Sequence, residues 1–342
     1  MRILIVGNEG GTNVGWSLFR AAKLAGHEAA FANALEAARG PRWLKRVAWH
    51  FFDHRPPRLG SFSRAVRERA LRDRPELLIA TGAVPITAGD LGRIRAADIR
   101  TANFTTDDPW SPISRANWFL RALPAYDVVF TPRRANIADL QRAGCRHVEF
   151  LPFGYDPELC FPEELSPADT AALASDVIFV GGADDGRAAL IADLARDIPN
   201  VSLYGSFWER YPATRALTRG QAGPETIRRA TRAARVSLCL VRHSNRDGHV
   251  MRSFEMAAMG ACMLVEDTAE HRELFGEDGE RVLFFVTPRD MTLKAQILIA
   301  DEALRRRLST AVMRHVTAGC NTYADRLSRM MTASLQGARV GL

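Results

Sequence analysis

The chain runs twice through the same alternation of short β-rich apolar segments and amphipathic helical segments, with one proline-rich pause between the runs. Few patterns restrict a fold more. Strands separated by helical crossovers pair in parallel, and a parallel sheet needs helices on both faces. In the first run the spacing predicts strands at 2–7, 28–32, 76–81, 101–105, 127–131 and 147–152. Helices at 14–25, 64–72 and 135–143 fit between them, and Gly26 and Gly144 stand just past two helix ends. The alternation pauses at Phe153-Gly154-Tyr155-Asp156-Pro157, and polar, proline-rich residues continue to about Ser175. It restarts with strands at 176–181, 201–204, 236–241, 262–265 and 282–285 and a helix at 187–196; the last part of the chain is helical and amphipathic. The expectation is an α/β protein of two doubly wound parallel-sheet domains, each able to bury its own core, as 342 residues allow.

Composition excludes several classes. No apolar run reaches the roughly 20 residues that span a bilayer. Residues 2–6 are too short for a signal-peptide core and lead straight into a glycine-rich loop, so the expected location is cytoplasmic. The five cysteines are scattered, with no Cys-x-x-Cys pair, and read as reduced thiols. The net charge is +7, carried almost wholly by arginine, since only Lys23, Lys45 and Lys294 are lysines. That balance suits anionic partners. No zinc finger, aromatic platform or other nucleic-acid module accompanies it, and no nucleic-acid partner is expected. The histidines show no ligand spacing, and neither a Walker loop nor a Gly-x-Ser-x-Gly elbow is present. No cofactor and no metal site are expected.

Several loops carry candidate chemistry. Gly7-Asn8-Glu9-Gly10-Gly11-Thr12-Asn13-Val14-Gly15 joins the first strand to a helix. Its glycines admit a ligand close to the backbone, though a tight strand-to-helix turn explains them equally well. Asp107 and Asp108, before Pro109, read as an acid pair for base or acceptor work, or as helix-capping and turn residues. Gly181 and Gly182, followed by Arg187 at a helix start, make a plausible diphosphate cradle; the alternative is a solvated Arg187. In the stretch from His249 to Gly260, Met251, Phe254, Ala257 and Ala258 share one helical face, while Arg252 and Glu255 stand three apart beside it. They form either a surface ion pair or a carboxylate held at the mouth of a sheet. From Arg42 to Phe52 the chain is basic and aromatic, with Trp43, Leu44, Val47 and Phe51 on one face. A helix buried against its own domain is the preferred reading there, and a peripheral membrane contact the other.

These motifs together resemble the GT-B glycosyltransferases, and most of all the CgeB-like group. The resemblance rests on His249–Gly260, on Asp-Asp-Pro at 107–109, on Gly181–Arg187, on Tyr204-Gly205-Ser206-Phe207-Trp208 and on Pro152–Asp156. It implies a GT-B architecture: an N-terminal Rossmann-like acceptor domain at 1–155, a C-terminal Rossmann-like nucleotide-sugar domain at 176–310 facing it across a cleft, and a helical tail at 311–342 that crosses back. It implies a sugar transferred from a nucleotide-diphosphate donor to an acceptor of unknown kind, whether glycan, lipid, small molecule or protein, without a catalytic metal. Gly181, Gly182, Arg187, Tyr204, Gly205, Arg252, Ser253, Phe254 and Glu255 then lie on the donor side, with Glu255 gripping the ribose. Gly10, Gly11, Thr12 and Asn13 form the acceptor-side loop, and Asp107, Asp108 and Asp247 are the catalytic candidates. Many retaining members carry Glu-x7-Glu, and this chain has Asp-x7-Glu, Asp247 to Glu255. A nucleotide-sugar 2-epimerase, or a catalytically weak surface-assembly or binding protein on the same fold, are the alternatives.

Overall fold

A computed structural model describes residues 1–51 and 53–336. Phe52, and residues 337–342 of the expected tail, lie outside the described residues. The chain divides into two compact units: Met1–Phe153, His243–Asp247 and Tyr323–Leu342 form the first, and Gly154–Arg242 with Gly248–Thr322 the second.

Unit 1 contains strands β1 (Arg2–Gly7), β2 (Glu28–Asn33), β3 (Leu77–Thr81), β4 (Arg100–Phe104), β5 (Val128–Thr131) and β6 (Val148–Phe150). Helices α1 (Val14–Leu24), α2 (Arg42–Phe51), α3 (Leu59–Asp73), α4 (Ala88–Arg95), α5 (Asn117–Ala122) and α6 (Ile137–Arg142) alternate with them. All pairs are parallel, in the order β2-β1-β3-β4-β5-β6. The central strands are covered on both faces, which is why β1 and β3 read as unbroken apolar runs rather than alternating ones. Leu78, Ala80 and Val129 pack with Phe62, Val66, Leu91 and Phe119 into one core.

Unit 2 contains β7 (Ser175–Val180), β8 (Val201–Tyr204), β9 (Thr218–Gly220), β10 (Ala234–Cys239), β11 (Met263–Glu266) and β12 (Leu283–Phe285). Its helices are α7 (Pro167–Leu173), α8 (Asp185–Asp197), α9 (Pro224–Ala233), α10 (Met251–Ala258), α11 (Ala269–Phe275), α12 (Pro288–Ala300) and α13 (Glu302–Ala318). The order β12-β11-β10-β7-β8-β9 reverses direction between β7 and β10. The four cysteines at 145, 160, 239 and 262 are buried and unbridged, and Cys320 is exposed.

Three elements differ from the sequence reading. β9 is a Thr-Arg-Gly edge strand with no apolar signal. α7 lies inside the proline-rich pause: Ser166 caps it by accepting the Asp169 amide, and Pro167 sits in the first turn, where a missing N–H costs nothing. Ion pairs Arg229–Asp169 and Arg228–Glu163, at 2.5 and 2.6 Å, tie this segment to α9. The return to unit 1 starts with α14 (Tyr323–Gln336) rather than at residue 311, because Leu308, Val312 and Val316 bury α13 in unit 2. In α14 the buried Tyr323, Leu327, Met330 and Ala333 recur at helical spacing, and the helix packs on α1 and β4. Arg326 then donates to the Pro152 and Phe153 carbonyls at 2.8 Å.

α2 corrects the preferred reading of 42–52. Trp43, Val47 and Phe51 are exposed, and Ala48 is the buried residue among those whose side chains are described. Leu44 is not among them.

Candidate functional site

In an open parallel sheet, ligands bind outside the carboxyl ends of the strands where the strand order reverses. In unit 2 that point is the end of β7 beside β10. Gly181 and Gly182 leave β7 there. The Gly181 amide donates to the Tyr204 carbonyl at 2.8 Å, and its own carbonyl accepts the Trp208 indole N–H at 2.9 Å. Gly205 turns at φ +144°, and a Cβ on it would stand 2.2 Å from the Gly181 oxygen. Only glycine fits this crossing of two loops. Tyr204 and Trp208 are interior groups, Trp208 wholly buried against Phe179. The bulk of Trp208 therefore fixes the loops from below.

Arg187 is not solvated. It is buried, stacks over Phe179, and donates to the carbonyls of Gly182 at 3.3 Å and Leu240 at 3.0 Å. It braces the exits of β7 and β10 together. The half-exposed cation beside Gly182 is Arg242, whose guanidinium nitrogen lies 3.9 Å from the position of a Gly182 Cβ and 3.8 Å from Asp184. The sequence reading missed Arg242. Its signal was its place directly after an apolar strand, at a sheet's carboxyl end.

α10 is locked at its start. The Val250 amide donates to Ser253 Oγ at 3.1 Å, and Ser253 Oγ lies 2.8 Å from His271 Nε2. His271 Nδ1 lies 2.8 Å from the Glu266 carbonyl, which can only accept, so Nδ1 carries the proton and Ser253 donates to Nε2. Burial pushes the His271 imidazole down to about 4, which keeps it neutral in that role. Thr268 donates to the Gly248 carbonyl, and His249 Nδ1 lies 2.6 Å from Glu270. Gly248 passes so close to Glu270 that a Cβ would stand 2.4 Å from its carboxyl carbon.

One turn further on, Glu255 is 1 % exposed and paired with Arg252, whose side chain is 26 % exposed. Burial pushes the Glu255 carboxyl above its usual range, with Arg252 opposing the shift and Asp156 adding to it. The Arg252–Glu255 ion pair is therefore real, but its acid is buried rather than at the surface. Ser253 and Phe254 are also interior: Ser253 is spent on His271, and Phe254 packs edge-on against His249. Of the stretch 252–255, Arg252 alone keeps appreciable contact with water.

In unit 1 the order reverses between β1 and β3. Cβ atoms on Gly7 and Gly15 would stand 2.3 and 2.6 Å from Thr81 Oγ1, so these two glycines serve packing. Gly10 and Gly11 have φ of +85° and +54° with open space around them. With Thr12 and Asn13 they form a surface loop, closed by the Asn13 side-chain amide donating to the Gly10 carbonyl at 2.8 Å.

The acid pair after β4 divides. Asp108 is 1 % exposed and accepts from Arg246 Nε at 2.5 Å, Arg246 Nη2 at 3.0 Å, Asn136 Nδ2 at 2.7 Å and the Trp110 amide at 3.0 Å. Burial disfavours its charge, yet these donors more than offset it and hold the carboxyl below its usual range. A carboxylate so engaged is a poor base. Asp107 is exposed, with Asn245 Nδ2 3.5 Å away. Arg246, at φ +50°, also reaches Asp139 at 2.8 Å. Asp108, Asp139 and Arg246, with Trp110, Ser111, Pro112 and Ser244, line a cavity of about 370 Å³. Asp247 accepts from Arg133 Nε at 2.5 Å and Asn245 Nδ2 at 3.0 Å, and its side chain is 5 % exposed. It groups with unit 1, whereas Glu255 groups with unit 2. Among the described residues, no group of three or more His, Cys, Asp or Glu is arranged to hold a metal ion.

The chain is similar to known proteins. A protein-family model described as "Glycosyl transferase-like" matches residues 187–332, a stretch that runs from Arg187 through Gly205, Arg242 and α10 to α14. Sucrose-phosphate synthase from Thermosynechococcus elongatus superposes with a TM-score of 0.68 at 15% identity, over 100% of both chains. HepE of Anabaena, solved with UDP-glucose, gives 0.64 at 16% identity over 98% of this chain and 99% of that one. α,α-Trehalose 6-phosphate synthase from Burkholderia multivorans gives 0.62 at 12% identity over 99% and 97%. The fold is GT-B. No curated protein matches the sequence. The GT-B assignment rests on two six-stranded parallel sheets with flanking helices and a helical C-terminal segment; the alternation predicted the two parallel sheets, though only five strands of the second.

Proposed function

We propose that this GT-B protein is a glycosyltransferase that moves a sugar from a nucleotide-diphosphate donor to an acceptor hydroxyl. The observation that carries the reading is the α10 constellation inside the family match: a buried Glu255 backed by Arg252, on a helix whose start is pinned through Ser253, His271 and Thr268. A rigid carboxylate beside a strand-order reversal is suited to a ribose diol. The Gly181–Gly182 turn with Arg242 is suited to the diphosphate, because close backbone and a cation stabilise charge growing on the leaving group. Arg187 supports that role indirectly, by holding the two loops.

The acceptor side is unit 1. This reading assigns the acceptor proton to Asp107, which is exposed, rather than to its buried neighbour Asp108, which Arg246 engages. Asp247, bound to Arg133, acts on the donor sugar only if that pair opens, so this reading assigns it a positioning role. With Asp108 saturated by Arg246 and Asn136, transfer proceeds without a metal held by the acid pair, and EDTA leaves it intact. UDP is the first donor base to try, since structural neighbours were solved with UDP and UDP-glucose. A nucleotide-sugar 2-epimerase is the second reading, favoured by the likeness to a putative UDP-N-acetylglucosamine 2-epimerase from Listeria monocytogenes at a TM-score of 0.55.

The test is thermal stabilisation by UDP-, GDP-, dTDP- and CDP-sugars, where a ligand at 100 times its Kd adds about 2.7 kcal/mol. Glu255→Gln is expected to weaken the stabilising nucleotide about 10- to 100-fold. If no nucleotide sugar stabilises the protein, the reading fails. If free nucleoside diphosphate appears only with an acceptor, the epimerase reading fails instead.

A further inference from the structure

α2 offers a face that unit 1 leaves uncovered. Trp43, Val47 and Phe51 are 67%, 37% and 79% exposed, and a spacing of four residues sets them on one stripe about 80° wide. Ala48, at 7% exposure, marks the side turned to the protein. Three large apolar side chains in a row are not the scattered exposure of an ordinary surface. The charge around them is mostly positive. From residue 36 to residue 58 the sequence has Arg39, Arg42, Lys45, Arg46, Arg55 and Arg58 against the acids Glu36 and Asp53, and Arg39 lies 3.6 Å from Glu36. The first turn of α2 lacks the acidic residue that a helix start usually favours. Arg46 is exposed, at a position flanking the stripe.

We propose that α2 docks this protein on an anionic lipid surface, with Trp43, Val47 and Phe51 entering the boundary between headgroups and acyl chains and Arg46 facing lipid phosphates. Tryptophan and phenylalanine beside arginine and lysine are the pairing such a boundary selects. Charge decides the occupant. A second copy docking by two-fold symmetry would set this mostly basic segment against itself, cation against cation. An anionic bilayer neutralises it. The inference stands apart from the sugar-transfer reading and needs no donor or acceptor.

The test is co-sedimentation of the full chain with vesicles of phosphatidylcholine alone and of phosphatidylcholine mixed with phosphatidylglycerol. Binding is expected to the mixed vesicles, weakening as salt screens the attraction. Trp43→Glu with Phe51→Glu is expected to lower it by at least about tenfold. Arg46→Glu is expected to lower it by about fivefold or more. Tm should hold in both variants, since the altered side chains are exposed. Brominated lipid should quench wild-type tryptophan emission more than that of Trp43→Phe. The proposal is overturned if mixed vesicles do not bind, if the variants bind like the wild type, or if the Trp43/Phe51 variant loses Tm and so reveals a packed face. Light scattering that shows a dimer broken by the same substitutions, with no vesicle binding, would assign the face to a second copy.

Discussion

Replacing Arg252 with methionine isolates the work of the buried ion pair on α10. Glu255 is 1 % exposed, and Arg252, with 26% of its side chain in water, is the cation paired with it. Breaking a buried pair from one side costs about 3–5 kcal/mol, because a charge is left buried without compensation. Arg252 keeps some contact with water, so the lower end, about 3 kcal/mol, applies. In a unit of this size that lowers Tm by roughly 6–12 °C. The pH dependence follows from the direction of the Glu255 shift. Its folded value is already raised by burial, and losing Arg252 raises it further. A carboxyl shifted that way contributes stability that is fully present below its unfolded value of about 4.3 and is lost as pH rises through the folded value. The deficit of Arg252→Met should therefore be small near pH 4.5, grow with pH, and then level off. Differential scanning calorimetry of both proteins across that range measures it. Adding Glu255→Gln removes the stranded charge, so the double variant should regain most of the loss and its pH dependence should flatten. A Tm within about 1 °C of wild type at every pH would refute the reasoning, since a buried carboxylate cannot lose its paired cation without a response.

Asp108→Asn should cost about 1.5–3 kcal/mol by denaturant titration, and the gap to wild type should close as pH falls from about 3.9 through the lower folded value of Asp108. Asp107→Asn should leave Tm unchanged within about 1 °C while cutting transfer by about 100-fold or more, read as nucleoside diphosphate released in the presence of acceptor. Gly205→Ala should destabilise by about 3 kcal/mol or more in thermal melts, because its Cβ meets the Gly181 oxygen and its φ of +144° excludes a side chain. Transfer should survive EDTA, and activity that vanishes and returns with manganese would make the exposed Asp107 a ligand.

The sheets were legible because buried parallel strands leave unbroken apolar runs. β1 was read at its full extent, and β8 at both ends. β9 was not, since an edge strand of Thr-Arg-Gly has nothing to bury. α7 was hidden by its own start: Ser-Pro-Ala-Asp is a capping sequence as much as a breaker, and only packing against α9 decides between them. α2 misled in the opposite way. Its aromatic stripe has the pattern of a buried face, and sequence cannot say whether a face has a partner. At the site, residue type predicted the neighbourhood but not exposure. Arg187 and Arg242 are both arginines after strand ends, yet Arg187 is spent on two carbonyls.

Asp107 and Asp108 show why exposure is decided beyond the local motif. They are adjacent and chemically identical, and both leave β4 at the carboxyl end of the sheet. The chain bends at Asp107, and only Asp108 turns inward. That choice is fixed by residues far along the chain. Asn136 comes from the start of α6, and Arg246 from the short segment that unit 1 takes from the second half of the sequence. Without Arg246, burying Asp108 would strand a charge; with it, the inward position becomes the stable one and Asp107 is left outside. The same logic orders Arg252 and Glu255, where the acid is inside and the cation at the surface. In both units the buried carboxylate is the fixed point and its exposed arginine the adjustable one. A ligand that attracts the arginine therefore changes the charge balance at a carboxylate it need not touch.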